Sequence, residues 1–178
     1  MTEEPVSIAR LTEWLGRFET LLREQGDQST LGAGMSAVRE KIAGTFETVG
    51  ELFTAVGMTL VGSTDGASGP LYGTFFLRFG MDAGATRALD AVALGRALRA
   101  GREGVVARGS AAIGQPAMLE VLTRAIEGYD LEIASGGDAA TASSTAFHSA
   151  RDDGRELDAD AVPAVLMLEA LASALTSS

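Results

Sequence analysis

The amino-acid sequence predicts a single all-α domain of about eight helices that pack as antiparallel neighbours. Apolar residues recur at steps of three and four over most of the 178 residues, which is the spacing of an amphipathic helix. No segment shows the two-residue alternation of apolar and polar residues that is typical of a half-buried strand. The connections between the apolar segments are short and rich in glycine, and alanine-rich helix surfaces favour close packing.

The first four predicted helices are identified by their apolar stripes. The first has Pro5 in its first turn, where proline is tolerated, and its stripe consists of Ile8, Leu11, Leu15, Phe18 and Leu22. The second spans about residues 30–43, and the third is the segment FETVGELFTAVGMTLV, residues 46–61. The fourth begins inside the segment GSTDGASGPLYGTFFLRFG, residues 62–80, and contains its aromatic residues.

Four further helices are predicted in the second half of the chain, over residues 86–107, 115–130, 137–153 and 158–178. The third of these is only weakly apolar. The last is apolar on most sides between Val165 and Leu171, so we expect it to be central. No fixed-period repeat divides the chain, and residues 1–178 are therefore predicted to form one domain.

Several of the 22 glycines fall inside the helical segments, where each costs about 1 kcal/mol relative to alanine. Two explanations are open for them. They allow neighbouring helices to approach closely, or some of them allow a ligand to approach the backbone.

Composition and charge exclude several classes of function. The net charge is −10 and the pI is about 4.5, so nucleic acid and anionic membrane surfaces would repel the protein. Cysteine is absent, which excludes disulfides and thiolate metal sites. The sequence shows neither a signal peptide nor a membrane-spanning apolar segment. We therefore expect a cytoplasmic protein.

Generic catalytic motifs are missing: the sequence contains no GxxxxGK[ST], GxSxG or HExxH. The single histidine, His148, is interpreted as a surface or packing residue, and no catalytic residue is predicted. The acidic run from Arg151 to Asp160 is interpreted as a solvated loop that caps the last helix, with cation binding as the alternative.

A possible anion site precedes the fourth helix. Gly66, Ala67, Ser68 and Gly69 come directly before Pro70, which suits a first helical turn. Free backbone N–H groups and the Ser68 hydroxyl would point at a bound anion there. By spacing alone, the same residues also fit an ordinary start of a helix.

Four sequence blocks resemble those of the L-subunit family of dihydroxyacetone kinases. GASGPLYGTFFLR, residues 66–78, resembles its glycine-rich phosphate-binding motif. Residues 104–122, GVVARGSAAIGQPAMLEVL, resemble the family pattern GxxxRGxAxxGDKTMxDAL. Residues 26–38, GDQSTLGAGMSAV, stand where the family has GDGDHGxNMxxG, and residues 158–171, DADAVPAVLMLEAL, resemble DPGAxSxxLMLEAL. The blocks follow the family's order over nearly the whole chain.

This resemblance implies an antiparallel eight-helix barrel that holds ADP or ATP at one rim, with Mg²⁺ as the metal. It implies phosphoryl transfer to a small hydroxyketone held by a K-type subunit, or exchange with a phosphotransferase protein. A homodimer is a further possible assembly. The residues that correspond to the nucleotide-contacting positions are Gly66, Ala67, Ser68, Gly69, Gly109, Met118 and Asp158.

The residues at the family's metal-binding positions have changed. The resemblance places Leu22 at the first of three aspartates, Asp27 at the second and Ser29 at the third, with Thr30 in place of a histidine. Asp27 is therefore the single predicted metal ligand. Mg²⁺ prefers hard oxygen ligands in octahedral geometry, so one carboxylate and a hydroxyl replace the set poorly. Glu24 lies on a different helix face from Leu22.

Other positions near the expected nucleotide have also changed. Gln115 and Pro116 replace an Asp-Lys pair, and Asp160 stands in place of a glycine. Asp65 precedes the glycine-rich motif where the family usually has glycine, and its carboxylate would repel a phosphate at short range. We interpret Asp65 as a helix N-cap rather than as a relocated metal ligand.

Three functional hypotheses follow. The first is a nucleotide-binding kinase subunit with impaired metal binding. The second is a non-catalytic relative that keeps the fold and acts through protein–protein contacts. The third, which rests only on the apolar helix faces, is binding of an apolar ligand inside the barrel.

Overall fold

The structure is a computed structural model that describes residues 3–26, 30–63, 66, 68–109, 116–151 and 156–177. The described residues form eight helices and two very short strands, which confirms the all-α prediction. The helices are α1 (Ile8–Glu24), α2 (Thr30–Lys41), α3 (Val49–Ser63), α4 (Ser68–Ala83), α5 (Ala91–Arg108), α6 (Pro116–Ala134), α7 (Ala139–Arg151) and α8 (Val162–Thr176). The strands are β1 (Val6–Ser7) and β2 (Ala88–Leu89).

The helices form a closed ring, because each packs against the next along the chain and α8 packs against α1. Hydrogen bonds show the antiparallel register of neighbours. Between α4 and α5, Arg96 Nε lies 3.1 Å from Asp82 Oδ2 at one end, and Arg108 Nη1 lies 3.3 Å from Thr74 Oγ1 at the other. The predicted antiparallel arrangement is therefore confirmed for this pair.

Aromatic side chains fill the middle of the ring. Phe53 and Phe79 pack with ring centroids 4.4 Å apart, and Trp14 lies 5.6 Å from Phe79 and 5.8 Å from Phe76. All four are fully buried, and Trp14 Nε1 donates a 2.9 Å hydrogen bond to the carbonyl oxygen of Met167. Tilted and edge-on ring contacts add to the gain from apolar burial. The aromatic half of residues 62–80 is thus core.

The glycines of α3 and α4 allow these two helices to approach closely. A Cβ atom on Gly57 would lie 2.8 Å from the carbonyl oxygen of Gly73, and one on Gly80 would lie 2.9 Å from Cβ of Phe53. Side chains at these positions would force the helices apart. Helix packing therefore explains these glycines.

Helix α8 is the apolar central element that its sequence predicts. Val165, Leu166, Met167 and Leu168 are consecutive and all buried, which is possible only where neighbours cover several faces of a helix. Helices α1, α6 and α7 provide that cover.

Several predicted helix starts were wrong. The third helix starts at Val49 and not at residue 46, and the last starts at Val162 and not at residue 158. Pro5 precedes α1 rather than lying in its first turn, because Val6 and Ser7 form β1 and Ser7 caps the helix. The fifth helix starts at Ala91 and not at residue 86, because Asp90 Oδ1 accepts a hydrogen bond from the backbone N–H of Ala93 and ends the extended segment. Strands β1 and β2 pair antiparallel, with Val6 opposite Leu89.

Within the part of the chain that the structure describes, no helix has both the length and the apolar character needed to cross a membrane.

Candidate functional site

Most of the predicted site residues lie at one end of the ring. Because consecutive helices alternate in direction, the helix ends that flank the connections α1–α2, α3–α4, α5–α6 and α7–α8 lie at this end, which we call the loop rim. The described residues near the rim include Gly66, Ser68, Gly69, Gly109 and Asp158. Ala67 and Asp27 lie outside the described residues, as does the proposed N-cap Asp65.

The α3–α4 connection ends in a backbone conformation that suits an anion site. Gly66 has a φ of 101°, a region that residues with a side chain rarely adopt. Helix α4 begins two residues later at Ser68, with Pro70 in its first turn as predicted. Its first N–H groups have no acceptor within the helix, and the helix dipole makes this end positive. The aromatic core anchors the rest of α4.

The α5–α6 connection starts at a second glycine of unusual conformation. Gly109 is left-handed, with φ 81° and ψ 59°, and its N–H donates to the carbonyl oxygen of Val106 over 3.0 Å. This is a typical helix C-terminus. Met118, in the first turn of α6, is fully buried. Its predicted contact with a nucleotide stays a prediction, since the described side chain is part of the core.

The α7–α8 connection brings two carboxylates to the loop rim. Asp158 is exposed, and its carbonyl oxygen accepts a 2.9 Å hydrogen bond from the N–H of Ala161. Asp160 Oδ2 is buried and has no hydrogen-bond partner in the described part of the chain. Ala161 occupies the N-cap position of α8 without a side-chain hydrogen bond, so the predicted capping of α8 by a carboxylate is wrong.

Of the three positions at which the resemblance places a metal ligand, the structure describes only Leu22. Leu22 is 1% exposed and belongs to the apolar core, whereas Glu24 is exposed, as expected from their different helix faces. No group of three Asp, Glu, His or Cys side chains that could hold a metal occurs among the described residues. Asp27 and Ser29 lie outside them. Because leucine has no side-chain oxygen, the set of metal ligands that the resemblance implies lacks one member at position 22.

A buried carboxylate that the sequence analysis missed joins the two helices flanking the α1–α2 connection. Glu19 on α1 is 4% exposed and accepts a 2.5 Å hydrogen bond from Arg39 Nη1 on α2. Arg23 lies 3.6 Å from the same carboxylate, and Ser36 donates to it over 3.4 Å. Glu19 is a charged residue beside the apolar stripe of α1, so the spacing of the apolar residues does not reveal that it is buried. The pair fixes the register of α1 and α2.

Arginines that the sequence analysis also missed join other neighbouring helices near the rim. Arg108 on α5 donates to Thr74 Oγ1 on α4 over 3.3 Å. Arg102 on α5 donates to Thr123 Oγ1 on α6 over 3.3 Å, and Arg124 on α6 donates to the carbonyl oxygen of Ala150 on α7 over 2.9 Å. Each of these arginines bonds to a neutral oxygen.

His148 is exposed on α7 next to Phe147, with ring centroids 5.4 Å apart. The guanidinium carbon of Arg151 lies 5.6 Å from the ring centroid of the same phenylalanine, in a cation–π contact. The interpretation of His148 as a surface residue is therefore confirmed.

A groove of about 780 Å³ lies at the end of the ring opposite to the loop rim. The N-terminal segment 3–7 and the start of α7 form its walls. Glu3 Oε1 accepts a 2.7 Å hydrogen bond from the N–H of Ala139, and Asp138 Oδ1 accepts a 2.8 Å bond from that of Thr141. The hydrogen bonds from Thr141, above all the one from its backbone N–H, hold the pKa of Asp138 below its usual value. Protein carboxylates thus occupy the anion-attracting end of α7.

Comparison with known proteins identifies the family. The sequence profile of the DAK2 domain matches residues 26–172. The PEP-dependent dihydroxyacetone kinase, ADP-binding subunit DhaL, of Escherichia coli (strain K12) is 34% identical over 137 residues, which cover 68% of this chain and 65% of that protein. The matched region therefore spans slightly less than two thirds of that relative.

Two further relatives have the same kind of name. The PTS-dependent dihydroxyacetone kinase, ADP-binding subunit DhaL, of Lactococcus lactis subsp. lactis (strain IL1403) is 31% identical over 145 residues, or 73% of each chain. The PEP-dependent dihydroxyacetone kinase 1, ADP-binding subunit DhaL, of Listeria innocua serovar 6a is 41% identical over 71 residues, 40% of this chain and 35% of that protein. The chain belongs to the DAK2 domain family, among relatives of the dihydroxyacetone kinase L subunit.

Proposed function

We propose that this chain is the nucleotide-binding subunit of a dihydroxyacetone-kinase-like phosphotransferase. It holds ADP or ATP at the loop rim, and a K-type partner subunit or a phosphotransferase protein supplies the other half of the reaction. The names of the E. coli and L. lactis relatives, both ADP-binding subunits, support the choice of nucleotide. The substrate that receives the phosphoryl group is a small hydroxyketone.

The geometry of the α3–α4 connection carries the proposal. A glycine at φ 101° is followed by a helix whose first turn contains Ser68, Gly69 and Pro70. Backbone N–H groups at such a helix end bind phosphate oxygens without any side-chain charge. Asp158 and Gly109 lie at the same rim, so the nucleotide would bridge several connections.

The residues of this chain hold and orient the diphosphate, and we derive no step through a metal. Phosphoryl transfer depends on positioning and on neutralising charge at the transferring group. The N-terminal amides of α4 provide part of that neutralisation. Burial of Leu22 supports the further proposal that Mg²⁺ contributes less to nucleotide binding than three carboxylates would allow.

The same burial favours a second candidate, a subunit that keeps the fold and binds a partner without catalysis. The two candidates differ in whether nucleotide binds at all and in whether the bound phosphate is transferred. A binding experiment and a transfer assay therefore separate them.

The first test is calorimetric titration of the full chain with ADP, with and without Mg²⁺. We expect measurable binding in both conditions, with a small effect of Mg²⁺. Gly66→Ala should weaken ADP binding about tenfold or more, because a side chain at this φ strains the turn that presents the amides.

Gly136→Ala is the matched control, because Gly136 has a similar φ of 93° but lies at the opposite end of the ring. It should lower thermal stability without changing ADP affinity. Absence of heat with millimolar ADP in the wild type would overturn the nucleotide-binding proposal and favour the non-catalytic subunit. Phosphate transfer assayed together with a K-type subunit then decides whether a binding-competent chain is also active.

A further inference from the structure

One face of α5 contacts α4 along its length. Gly101 and Gly104 lie on this face, since a Cβ atom on Gly101 would be 2.6 Å from the Phe75 ring and one on Gly104 would be 3.3 Å from Cγ2 of Thr74. Arg108 follows four residues after Gly104 and so lies on the same face, at its loop-rim end. The glycines bring the helices together, and Arg108 is thereby held against the first turns of α4.

The level of Arg108 along α4 follows from the antiparallel register. A Cβ atom on Gly104 would contact both Arg78 and Thr74, so Gly104 is level with the turn between them, and four further residues of α5 advance about 6 Å towards the loop rim. The backbone of Arg108 is therefore level with the turn between Pro70 and Thr74, about one turn from Ser68. Its side chain points back, away from the rim, and Nη1 donates to Thr74 Oγ1 over 3.3 Å. Thr74 Oγ1 in turn donates to the carbonyl oxygen of Pro70 over 2.7 Å.

Among the described residues, Arg108 has no carboxylate partner. Arg108 is exposed, and no carboxylate of the described residues lies within 4.0 Å of its guanidinium nitrogens. Farther from the rim on the same helix, Arg96 pairs with Asp82 at 3.1 Å and Arg99 pairs with Asp130 at 2.7 Å. Arg108 lies in the last turn of α5, where the helix dipole favours a cation, and it also stands beside the positive end of α4, which disfavours one.

We propose that Arg108 is a further phosphate-binding residue of the loop rim. When a diphosphate binds at Gly66–Gly69, the guanidinium leaves Thr74 and donates to phosphate oxygens, and the helices keep their positions. The planar guanidinium can donate two parallel N–H groups to two oxygens of one phosphate. The Thr74 hydroxyl has only one oxygen and cannot accept such a paired contact. This inference rests on the proposed function and deepens it, because it makes the site selective for a diphosphate over a nucleoside.

The experiment compares wild type, Arg108→Ala and Arg108→Lys in calorimetric titrations with ADP, adenosine and inorganic pyrophosphate. Arg108→Ala should weaken ADP and pyrophosphate binding about tenfold, as for loss of a hydrogen bond to a charged group, and leave adenosine binding unchanged. Arg108→Lys should fall between the two. Arg96→Ala is the matched control, an exposed arginine on the same helix far from the rim, and should bind ADP like the wild type.

The outcomes separate this inference from the proposed function. If the wild type binds ADP and Arg108→Ala binds it within twofold, the role of Arg108 is overturned and nucleotide binding stands. If the wild type binds pyrophosphate in an Arg108-dependent way but not ADP, the anion contact stands and the nucleotide proposal fails. If the wild type binds neither, both are overturned. Circular dichroism of each variant confirms that it is folded.

Discussion

Replacing Leu22 by aspartate restores the carboxylate that the family resemblance places first in the metal site. In this protein Leu22 is 1% exposed and lies in the core near the end of α1, among the residues of its apolar stripe. The substitution therefore tests whether Leu22, which stands at the position of a metal ligand, is a core residue that stabilises the fold. If it is, Leu22→Asp should damage the fold rather than repair a site.

The size of the effect follows from burial. Truncating a buried leucine costs about 2–5 kcal/mol in unfolding free energy. A carboxylate at the same place also loses its hydration and either stays charged at further cost or binds a proton. We expect a loss of at least about 4 kcal/mol at neutral pH, which for a chain of this size lowers the melting temperature by roughly 10 °C or more.

The assay is thermal unfolding followed by circular dichroism, with and without millimolar Mg²⁺. Leu22→Asn is the matched control, because it has nearly the shape of aspartate but no charge, and Leu22→Met tests simple repacking. The aspartate variant should be less stable than the asparagine variant at neutral pH. Because burial raises the folded-state pKa of the new carboxyl, the two should converge as the pH falls below that value. A melting point within a degree or two of wild type, or a recovery of several degrees that only Leu22→Asp shows with Mg²⁺, would refute the reasoning.

Two other predictions concern the scaffold. Gly57→Ala places a methyl group 2.8 Å from the carbonyl oxygen of Gly73 and should lower the free energy of unfolding by about 1–3 kcal/mol. Gly62→Ala in the same helix meets no atom within 4 Å and should raise the free energy of unfolding by up to about 1 kcal/mol. Urea unfolding that gives both variants the same midpoint contradicts this account of the α3–α4 contact. The lowered pKa of Asp138 means that its carboxylate stabilises the fold above the unfolded-state pKa and that this contribution is lost as the pH falls through the folded-state pKa. Asp138→Ala should therefore lower the melting temperature at neutral pH, with a difference from wild type that shrinks in acid, and a difference that is the same at every pH would disprove it.

Much of the fold was predictable because helices are encoded locally. The stripe from Leu11 to Leu22 predicts both α1 and the face that it buries, and the apolar sequence from Val165 to Leu171 predicts the central position of α8. The strand pair was not predictable, because each strand has only two residues and its partner lies some 80 positions away. Such a short pairing leaves no period in the sequence.

The site was predictable only in part. The block at Gly66–Gly69 and the glycine at 109 are recognisable from composition and order, and the structure brings both to the loop rim. The contact between Arg108 and Thr74 depends on the register of two antiparallel helices, which no local pattern encodes. The buried Glu19 depends in the same way on Arg39 from the next helix.

The proposed loss of metal ligands and the proposed anion site at α4 are compatible with each other. Three carboxylates around a diphosphate are tolerable only when dications neutralise them, because like charges repel strongly at short range. With leucine at position 22 and serine at position 29, fewer negative charges remain to be neutralised. In the proposed site, the amides of α4 and Arg108 supply attraction that needs no metal. Transfer of a phosphoryl group still requires neutralisation of the charge that develops on it. Nucleotide binding should therefore survive in this chain better than catalysis does.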